Sequence, residues 1–227
     1  YGAASYQATV CASDTRAWNQ PTSVGASDFV SQITQWSLDN WGEDVLANRR
    51  GGAIYYWKTT VGTAPRAVLV TNSPTTVNSI VVSPNDRHLI ALGTNEFGTT
   101  ASPSGTYNPM VVRWSDQEDY TNWTPAINST SGEVIIADGT KIVGARRSRN
   151  AVNIWTDNAL WSMTFVGPPF IFNFAQLGTN CGLIAQHAAV DYDGRSVWMG
   201  YDNFYVFDGQ VRSLDCTVRR FIFDRLN

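Results

Sequence analysis

From Trp36 onward, short apolar runs alternate with polar turns that are rich in Gly, Asp, Asn and Pro. Runs of about four to eight residues with β-branched and aromatic side chains, bounded by such turns, are typical of β-strands. The runs fall into four groups: 36–48 and 53–57; 79–83, 87–93 and 111–114; 141–146, 151–156, 159–165 and 170–177; 184–191, 196–200, 204–207 and 210–214. This pattern predicts an all-β protein.

The four groups behave as repeats. When they are aligned on an aromatic residue that closes a hairpin, the matching positions are Trp57, Trp114, Trp161 and Tyr205. Repeats of short strands at intervals of roughly 40 to 50 residues are typical of a β-propeller, which stacks small sheets around an axis. We predict a β-propeller-like array of about four antiparallel blades. A sandwich of irregular hairpins is the competing architecture.

The domain boundaries follow from the same pattern. Residues 1–35 carry turn signals and no helical period, so they are predicted to form an irregular lead-in, with a possible first strand at 29–36. Residues 36–227 are predicted to form the propeller-like domain. Residues 94–109 are rich in Gly, Ser, Thr and Pro and are interpreted as a loop. Helix is expected to be scarce, because only 132–141 and 217–226 lack clear turn signals.

Composition narrows the function classes. Hydrophobic residues make up 43% of the 227 residues and charged residues only 15%, which suits aromatic strands and a surface partly covered by neighbours. The net charge of −3 does not favour a general nucleic-acid binder. Only Lys58 and Lys141 are lysines. The predominance of arginine suits protein interfaces, although codon composition explains it equally well.

Cysteine usage and targeting signals bear on the compartment. Cys11, Cys181 and Cys216 are far apart and odd in number, so no disulfide framework is expected and assembly in a reducing cytoplasm fits. No apolar stretch approaches the length of a transmembrane helix, and no signal peptide is visible. We therefore predict no membrane partner.

The densest acidic cluster contains Asp116, Glu118 and Asp119. It has two functional interpretations, an acid–base carboxylate pair or a site for a hard cation. Glycosidases need two carboxylates at a set separation, whereas these three lie in one short turn. A calcium loop needs alternating oxygen ligands and a glycine bend, and no glycine is present. A solvated turn stabilised by Asp and Ser side chains is the preferred interpretation.

Other candidate groups favour structural roles. The pairs Asp138-Gly139, Asp193-Gly194 and Asp208-Gly209 match hairpin turn chemistry better than a ring of metal or sugar ligands. His88 and His187 lie in strand-like apolar runs without a nucleophile motif, so they are predicted to be core or edge residues. We predict no catalytic residue, no bound cofactor and no metal site.

Basic and aromatic residues are candidates for binding surfaces. The run Arg146-Arg147-Ser148-Arg149, with the pairs Arg49-Arg50 and Arg219-Arg220, is compatible with DNA phosphate contact, an exposed turn or a salt-bridged subunit interface, and the interface is preferred. Stacked Trp and Tyr side chains are compatible with a carbohydrate platform. Their regular strand positions favour packing between blades instead.

Several segments resemble a family of tailed-phage virion structural proteins. The resemblance runs from about residue 36 to the end, and it rests on the following segments: 36–44 (WSLDNWGED), 55–57 (YYW), 113–119 (RWSDQED), 198–200 (WMG), 204–209 (FYVFDG), 214–216 (LDC) and 221–224 (FIFD). Within this family, the chain is similar to the tail nozzle or DNA-stabilising tail protein of short-tailed phages. The resemblance implies a β-propeller-like domain in a ring around the DNA exit channel.

The resemblance carries further expectations. It implies a non-enzymatic structural component of the phage tail, a nozzle or hub-like ring that helps to retain and then conduct the genome. The expected partners are copies of itself, as a hexamer, other tail proteins such as an adaptor, and phage DNA in transient contact. The expected location is the virion tail, after assembly in the host bacterial cytoplasm. Family members continue past Asn227 with further strands, so a last blade is expected to be missing from this chain.

Two other functions remain open from the sequence. A receptor-binding or glycan-binding propeller on the virion surface is the main alternative, with an exposed Trp such as Trp123 as the residue to mutate. A propeller glycosidase that uses Asp116 or Glu118 is the third.

Overall fold

The apolar runs pair into four separate antiparallel sheets. A computed structural model describes residues 35–58 and 66–225. The predicted lead-in and the first part of the predicted strand at 29–36 lie outside the described residues, and β1 begins at Trp36. The predicted all-β class is confirmed, because strands and turns make up nearly all of the described chain.

Each sheet contains four strands that follow one another in chain order, and each strand pairs antiparallel with the next. The sixteen strands of the described chain are β1 (Trp36–Trp41), β2 (Asp44–Arg49), β3 (Ile54–Trp57) and β4 (Val68–Leu69) in sheet 1; β5 (Val77–Val82), β6 (Leu89–Phe97), β7 (Ser104–Trp114) and β8 (Gly132–Ile135) in sheet 2; β9 (Ile142–Arg147), β10 (Val152–Thr156), β11 (Leu160–Gly167) and β12 (Ile171–Gly178) in sheet 3; β13 (Ala189–Tyr192), β14 (Arg195–Met199), β15 (Phe204–Phe207) and β16 (Val211–Leu214) in sheet 4. A short helix, α1 (Arg219–Phe223), follows.

The sheets are arranged in a propeller-like array. The first strands of successive sheets contact one another: β1 contacts β5, β5 contacts β9, and β9 contacts β13. The first strand of each sheet is therefore innermost and the fourth forms the outer rim, as in a propeller blade. The four aromatic residues that aligned the sequence repeats, Trp57, Trp114, Trp161 and Tyr205, all lie in the third strand of their sheets.

Three apolar cores lie between successive sheets. The core between sheets 1 and 2 includes Leu46, Ile54, Leu89 and Trp123. The core between sheets 2 and 3 is formed by thirteen buried residues: Val81, Ile90, Leu92, Met110, Val112, Trp114, Ile136, Ile142, Ala145, Val152, Ile154, Met163 and Phe172. The core between sheets 3 and 4 is formed by Trp155, Leu160, Cys181, Leu183, Ala189 and Trp198. Burial of these side chains is the main force that holds sheet against sheet.

Local details differ from the sequence prediction in sheets 1 and 2. The run predicted as one strand over 36–48 is a hairpin, because Gly42 adopts a φ of 65° that favours glycine and turns the chain. The predicted loop over 94–109 is largely a second hairpin, since β6 extends to Phe97 and β7 begins at Ser104. Residues 132–135 of the segment considered for helix form β8.

The last part of the chain also differs in detail. Of the run predicted over 184–191, only residues from Ala189 onward form a strand. The segment 217–226 contains the short helix α1. Across the described residues, no helix has the length and apolar character needed to span a membrane.

Candidate functional site

Two of the sequence candidates, His88 and Asp116, meet in one polar network beneath the acidic turn. His88 directly precedes β6, and Asp116 follows the end of β7, so the pairing of these two strands brings them together. Thr130, just before β8, connects them: its hydroxyl lies 3.0 Å from His88 Nε2 and 2.5 Å from Asp116 Oδ1. This network therefore joins two of the predicted candidates through one hydroxyl group.

Asp116 is fixed by an unusual number of donors. Its carboxylate accepts hydrogen bonds from the backbone N–H of Thr130 at 2.8 Å, the backbone N–H of Gln117 at 2.9 Å and the side-chain amide of Asn122 at 3.0 Å, in addition to the Thr130 hydroxyl. Burial by itself raises the pKa of Asp116. The hydrogen bonds, led by those from Thr130, favour the charged form more strongly, so that the pKa lies below its usual value of 3.8.

This lowered pKa gives a testable pH dependence. A carboxyl group with a lowered folded-state pKa stabilises the fold above its unfolded pKa, and the contribution is lost as the pH falls through the folded value. We expect Asp116→Asn to be less stable than the native chain at pH 7, and the difference to shrink as the pH falls below about 3.8. Urea unfolding of both proteins at several pH values measures it.

A control and a contrary outcome make this test specific. Glu118→Gln changes an exposed ion pair with Arg87, which is expected to contribute little. If the stability difference between the native chain and Asp116→Asn stayed constant from pH 7 to pH 3, the Asp116 hydrogen bonds would not depend on its charge.

His88 has the geometry of the middle member of a catalytic triad. Its Nδ1 lies 2.5 Å from Asp86 Oδ2, and its Nε2 faces the Thr130 hydroxyl. In a triad, the histidine takes the proton of that hydroxyl. This arrangement is not evident from local sequence, because Thr130 is 42 residues from His88.

The hydrogen-bond inventory excludes that role for His88 in this state. The Thr130 hydroxyl has one hydrogen and two lone pairs. Its hydrogen goes to the Asp116 carboxylate, and its oxygen accepts from the Gln117 N–H at 2.8 Å. The proton of this hydroxyl therefore points to Asp116 and not to His88 Nε2, which lies 3.0 Å away.

His88 and Asp86 form a buried structural clamp. Both are buried, and Asp86 also accepts a hydrogen bond from the Ser83 hydroxyl. The imidazole packs against the rings of Phe172 and Phe165 in sheet 3, at 5.0 and 5.6 Å between centroids. The clamp thus fixes the 83–88 turn against the next sheet, in agreement with the prediction that His88 is a core residue.

The three acids of the turn do not converge. Glu118 forms an exposed ion pair with Arg87 at 3.0 Å, and Asp119 accepts from the backbone and hydroxyl of Thr121 at 2.8 and 2.6 Å. Within residues 35–58 and 66–225, no three His, Cys, Asp or Glu side chains are placed to hold a metal ion. The arrangement is that of a turn stabilised by its own side chains.

Arg113, in the same segment, is a buried cation. Its side chain is 1% exposed, and it donates to four backbone carbonyl oxygens: Asn95, Glu96, Pro103 and Trp123, at 3.1, 3.4, 3.0 and 3.2 Å. Burial lowers the pKa of Arg113 to about 10, although Glu133 at 3.9 Å opposes the effect. The guanidinium still carries its charge at neutral pH and ties the 98–103 hairpin tip to β7.

The Asp39 carboxylate lies at a junction where sheets 1, 2 and 3 meet. Its side chain is 7% exposed in β1, and its carboxylate accepts from the Val82 N–H of sheet 2 at 2.7 Å and from Arg147 of sheet 3 at 2.8 Å. Asp39 and Arg147 are 108 residues apart, so local sequence patterns could not pair them.

The repeated Asp-Gly pairs occupy separate places. Gly139, Gly194 and Gly209 all have positive φ. The acids do not form a ring: Asp138 accepts from Asn158 and Gln176, Asp193 pairs with Arg149, and Asp208 pairs with Arg212. Asp193-Gly194 and Asp208-Gly209 lie in the β13–β14 and β15–β16 hairpin turns as predicted, whereas Asp138-Gly139 lies in the linker between β8 and β9.

The basic run makes contacts between sheets of the same chain. Arg146 donates to the carbonyl oxygens of Ala189 and Gln186, Arg147 binds Asp39, and Arg149 binds Asp193. Burial lowers the pKa of Arg146. These three arginines thus bind residues of the same chain, and the predicted subunit interface stays a prediction.

His187 departs from its predicted environment. It lies in an exposed turn before β13, and its Nδ1 is 3.1 Å from Arg146. The predicted strand around it is absent because the segment 184–188 crosses from sheet 3 to sheet 4.

The aromatic residues mostly pack between sheets. Trp123 was expected to be exposed, but it is 1% exposed, and its indole N–H donates to the Tyr120 carbonyl oxygen at 2.8 Å. The expectation was wrong because the turn folds this ring back into the core between sheets 1 and 2. The thiols of Cys181 and Cys216 are free, and burial raises the pKa of Cys181 to about 11.

Comparisons with known proteins do not assign the chain to a family. No family model matches the chain. No curated protein matches it. Among solved structures, it is similar to the extracellular domain of a putative one-component system from B. thetaiotaomicron, with 12% identity and a TM-score of 0.49. The match covers 83% of this chain and 23% of that one, and a similarity this low defines no family.

Proposed function

We propose that the protein is a structural component of a phage tail, a nozzle or hub-like ring that helps to retain the packaged genome and then conduct it. The proposal includes a homo-hexameric ring, contact with other tail proteins such as an adaptor, and transient contact with DNA. It places the protein in the virion tail after assembly in the host cytoplasm. It assigns the chain no enzymatic activity.

One observation carries the proposal: the segments behind the family resemblance supply the residues that hold the sheets together. The segment 36–44 contains Asp39 and Trp41, which lie between sheets 1 and 2. The segment 113–119 contains Arg113 and Trp114, and Trp198 packs between sheets 3 and 4. A family defined by such residues is united by its architecture, which suits a mechanical role.

Apolar surface on the two end sheets also supports assembly. On the face of sheet 1 that points away from sheet 2, Leu38 and Leu69 are 66% and 48% exposed. On the face of sheet 4 that points away from sheet 3, Val190 and Tyr192 are 59% and 80% exposed. Exposed apolar patches of this kind are typical of protein–protein contact sites. They suit a protein that is covered by neighbours in a particle.

Electron microscopy of virions tests the proposal. An antibody raised against this protein, with gold label and negative stain, is expected to mark the tail at its narrow end. Label confined to the capsid shell would overturn the tail assignment. A map of the intact particle would then measure the number of copies, and six copies around the DNA channel are expected.

A receptor-binding or glycan-binding propeller is the second candidate, and the exposed aromatic rings favour it. Tyr192 is 80% exposed and Phe170 is 78% exposed, whereas Trp123 is buried. Aromatic faces stack on sugar rings through apolar contact. Glycan-array binding that Tyr192→Ala abolishes would favour this candidate over the tail ring. Trp123→Ala is unsuitable as a binding probe, because it would disturb the core.

A further inference from the structure

The outer rim of the array consists of the fourth strand of each sheet. Among the described residues, β4, β8, β12 and β16 each have one paired neighbour, so each has one edge without a strand partner. Such edges present backbone N–H and C=O groups that can pair with another strand. Folded proteins usually protect them with short length, charge, proline or bulges.

Three of the four rim strands are protected. β4 contains only two residues, Val68–Leu69. β8 carries Glu133, whose carboxylate accepts from the Phe97 N–H at 2.7 Å and faces Arg113. β16 has four residues and carries Arg212, which pairs with Asp208. Each of these edges is too short or too charged to recruit a further strand readily.

β12 lacks protection by short length, charge or proline. It has eight residues, Ile171–Gly178, with the sequence IFNFAQLG, and none of them is charged or proline. The register with β11 shifts near both ends, but it is continuous from Phe172, which faces Phe165, to Gln176, which faces Trp161. In an antiparallel pair, alternate residues direct both backbone groups away from the partner strand. The five residues 172–176 therefore form a regular edge with free pairing capacity at the rim.

We propose that the β12 edge is a docking surface for β12 of a second copy, in antiparallel pairing about a two-fold axis. A two-fold axis perpendicular to the sheet places each β12 residue opposite a β12 residue of the second copy. The two side chains of such a pair lie on the same face of the joined sheet. Centring the axis on Phe174 pairs all five regular residues. Phe174 then lies opposite Phe174 of the second copy, Asn173 opposite Ala175, and Phe172 opposite Gln176. The pairing forms about four to six backbone hydrogen bonds and joins two four-stranded sheets into one of eight.

The absence of charge favours a second copy as the partner. A strand that pairs with itself across a two-fold axis places each charged residue near its own copy, and like charges across strands are destabilising. Glu133 in β8 and Arg212 in β16 would be repelled in this way, but β12 has no charged residue. The Phe174 pair on the axis adds an aromatic contact. A cyclic ring has no two-fold axis that could relate its neighbours in this way, so this contact is separate from the ring contacts of the proposed tail function.

Apolar surface next to the edge adds to the contact. Phe170, in the turn that leads into β12, is 78% exposed, and Val166 in β11 is 54% exposed. Both lie at the end of the β11–β12 hairpin, beyond the start of the regular edge. A second copy that pairs with β12 covers part of this surface, which extends the interface past the five paired residues.

Sedimentation velocity tests the proposal on the full 227-residue chain. The native chain is expected to be dimeric at about 100 µM and to dissociate on dilution. Ala175→Lys places one lysine from each copy diagonally across the two-fold axis, on an exposed face of the sheet. Because these like charges repel, this variant is expected to remain monomeric over the same range of protein concentration. Ser213→Lys, on the exposed rim strand β16, is the matched control and is expected to dimerise as the native chain does.

A charge-swap experiment separates pairing from misfolding. Ala175→Glu alone is also expected to be monomeric, but an equimolar mixture with Ala175→Lys is expected to form the dimer again, because the diagonal charges then attract. A native chain that is monomeric at every concentration would overturn the proposal. So would an Ala175→Lys dimer of native affinity, a Ser213→Lys variant that dissociates equally, or a charge-swap mixture that stays monomeric.

Discussion

Replacing Arg113 with Met is expected to lower the free energy of unfolding by about 3 to 5 kcal/mol. The guanidinium is 1% exposed and donates to four backbone carbonyl oxygens, three of them around the hairpin tip 98–103 and one at Trp123. Met fills a similar volume but donates nothing, so these oxygens lose their partner in a place with little access to water. Glu133, at 3.9 Å, also loses its opposite charge.

Urea unfolding at pH 7 measures the loss, and two variants calibrate it. Arg149→Met removes an arginine whose side chain is 75% exposed, and it is expected to change stability by less than about 0.5 kcal/mol. Arg113→Lys keeps the charge but not the planar fork that reaches several carbonyls, so it is expected to fall between the two. Equal losses for Arg113→Met and Arg149→Met would show that the buried contacts contribute nothing beyond those of a surface arginine.

Local information accounts for most of the predicted fold. Each sheet is a meander, and most of its neighbouring strands are joined by short connections, so alternating apolar runs and turn residues report those strands directly. The pairs at Asn153↔Ser162 and Val190↔Val197 are examples of contacts only a few residues apart in the chain. The repeat was visible because the third strand of each sheet carries one of the four aligned aromatic residues, Trp57, Trp114, Trp161 and Tyr205.

The features that the sequence did not reveal depend on distant contacts. The 98–103 hairpin is rich in Gly, Ser, Thr and Pro, which is typical of a loop. It is ordered because Arg113 reaches its backbone and because Asn95 donates to the Gly105 carbonyl oxygen at 3.0 Å. Neither contact can be inferred from local periodicity. The same limit applies to Thr130, which joins His88 to Asp116 from a separate segment.

The acidic turn illustrates how position changes the meaning of a residue type. In the sequence, Asp116, Glu118 and Asp119 form one acidic cluster because they lie within four residues. In the structure, Asp116 belongs to the polar network with Thr130. Glu118 instead forms an exposed ion pair with Arg87, and Asp119 accepts a hydrogen bond from the Thr121 hydroxyl. Adjacent carboxylates in a tight turn diverge, because successive backbone groups need different partners.

Replacing Asp39 with Ala is expected to lower the free energy of unfolding by about 2 to 4 kcal/mol. Asp39 in sheet 1 accepts from the Val82 N–H in sheet 2 and from Arg147 in sheet 3, so one carboxylate ties three sheets together. Most of the loss comes from the Val82 N–H, because Val82 is 4% exposed and water cannot replace the acceptor. The Arg147 ion pair contributes less, since the Arg147 side chain is 46% exposed and screened by solvent.

Asp39→Asn removes the negative charge of the side chain but keeps an oxygen atom that can accept a hydrogen bond. Its amide oxygen can still accept from the Val82 N–H, so it is expected to recover more than half of the loss seen with Ala. Arg147→Met is the matched partner variant, and it is expected to cost less than Asp39→Ala because the removed group is half-exposed. Thermal and urea unfolding of the three variants measure these differences. An Arg147→Met loss as large as that of Asp39→Ala would mean that the ion pair, and not the backbone hydrogen bond, holds the junction.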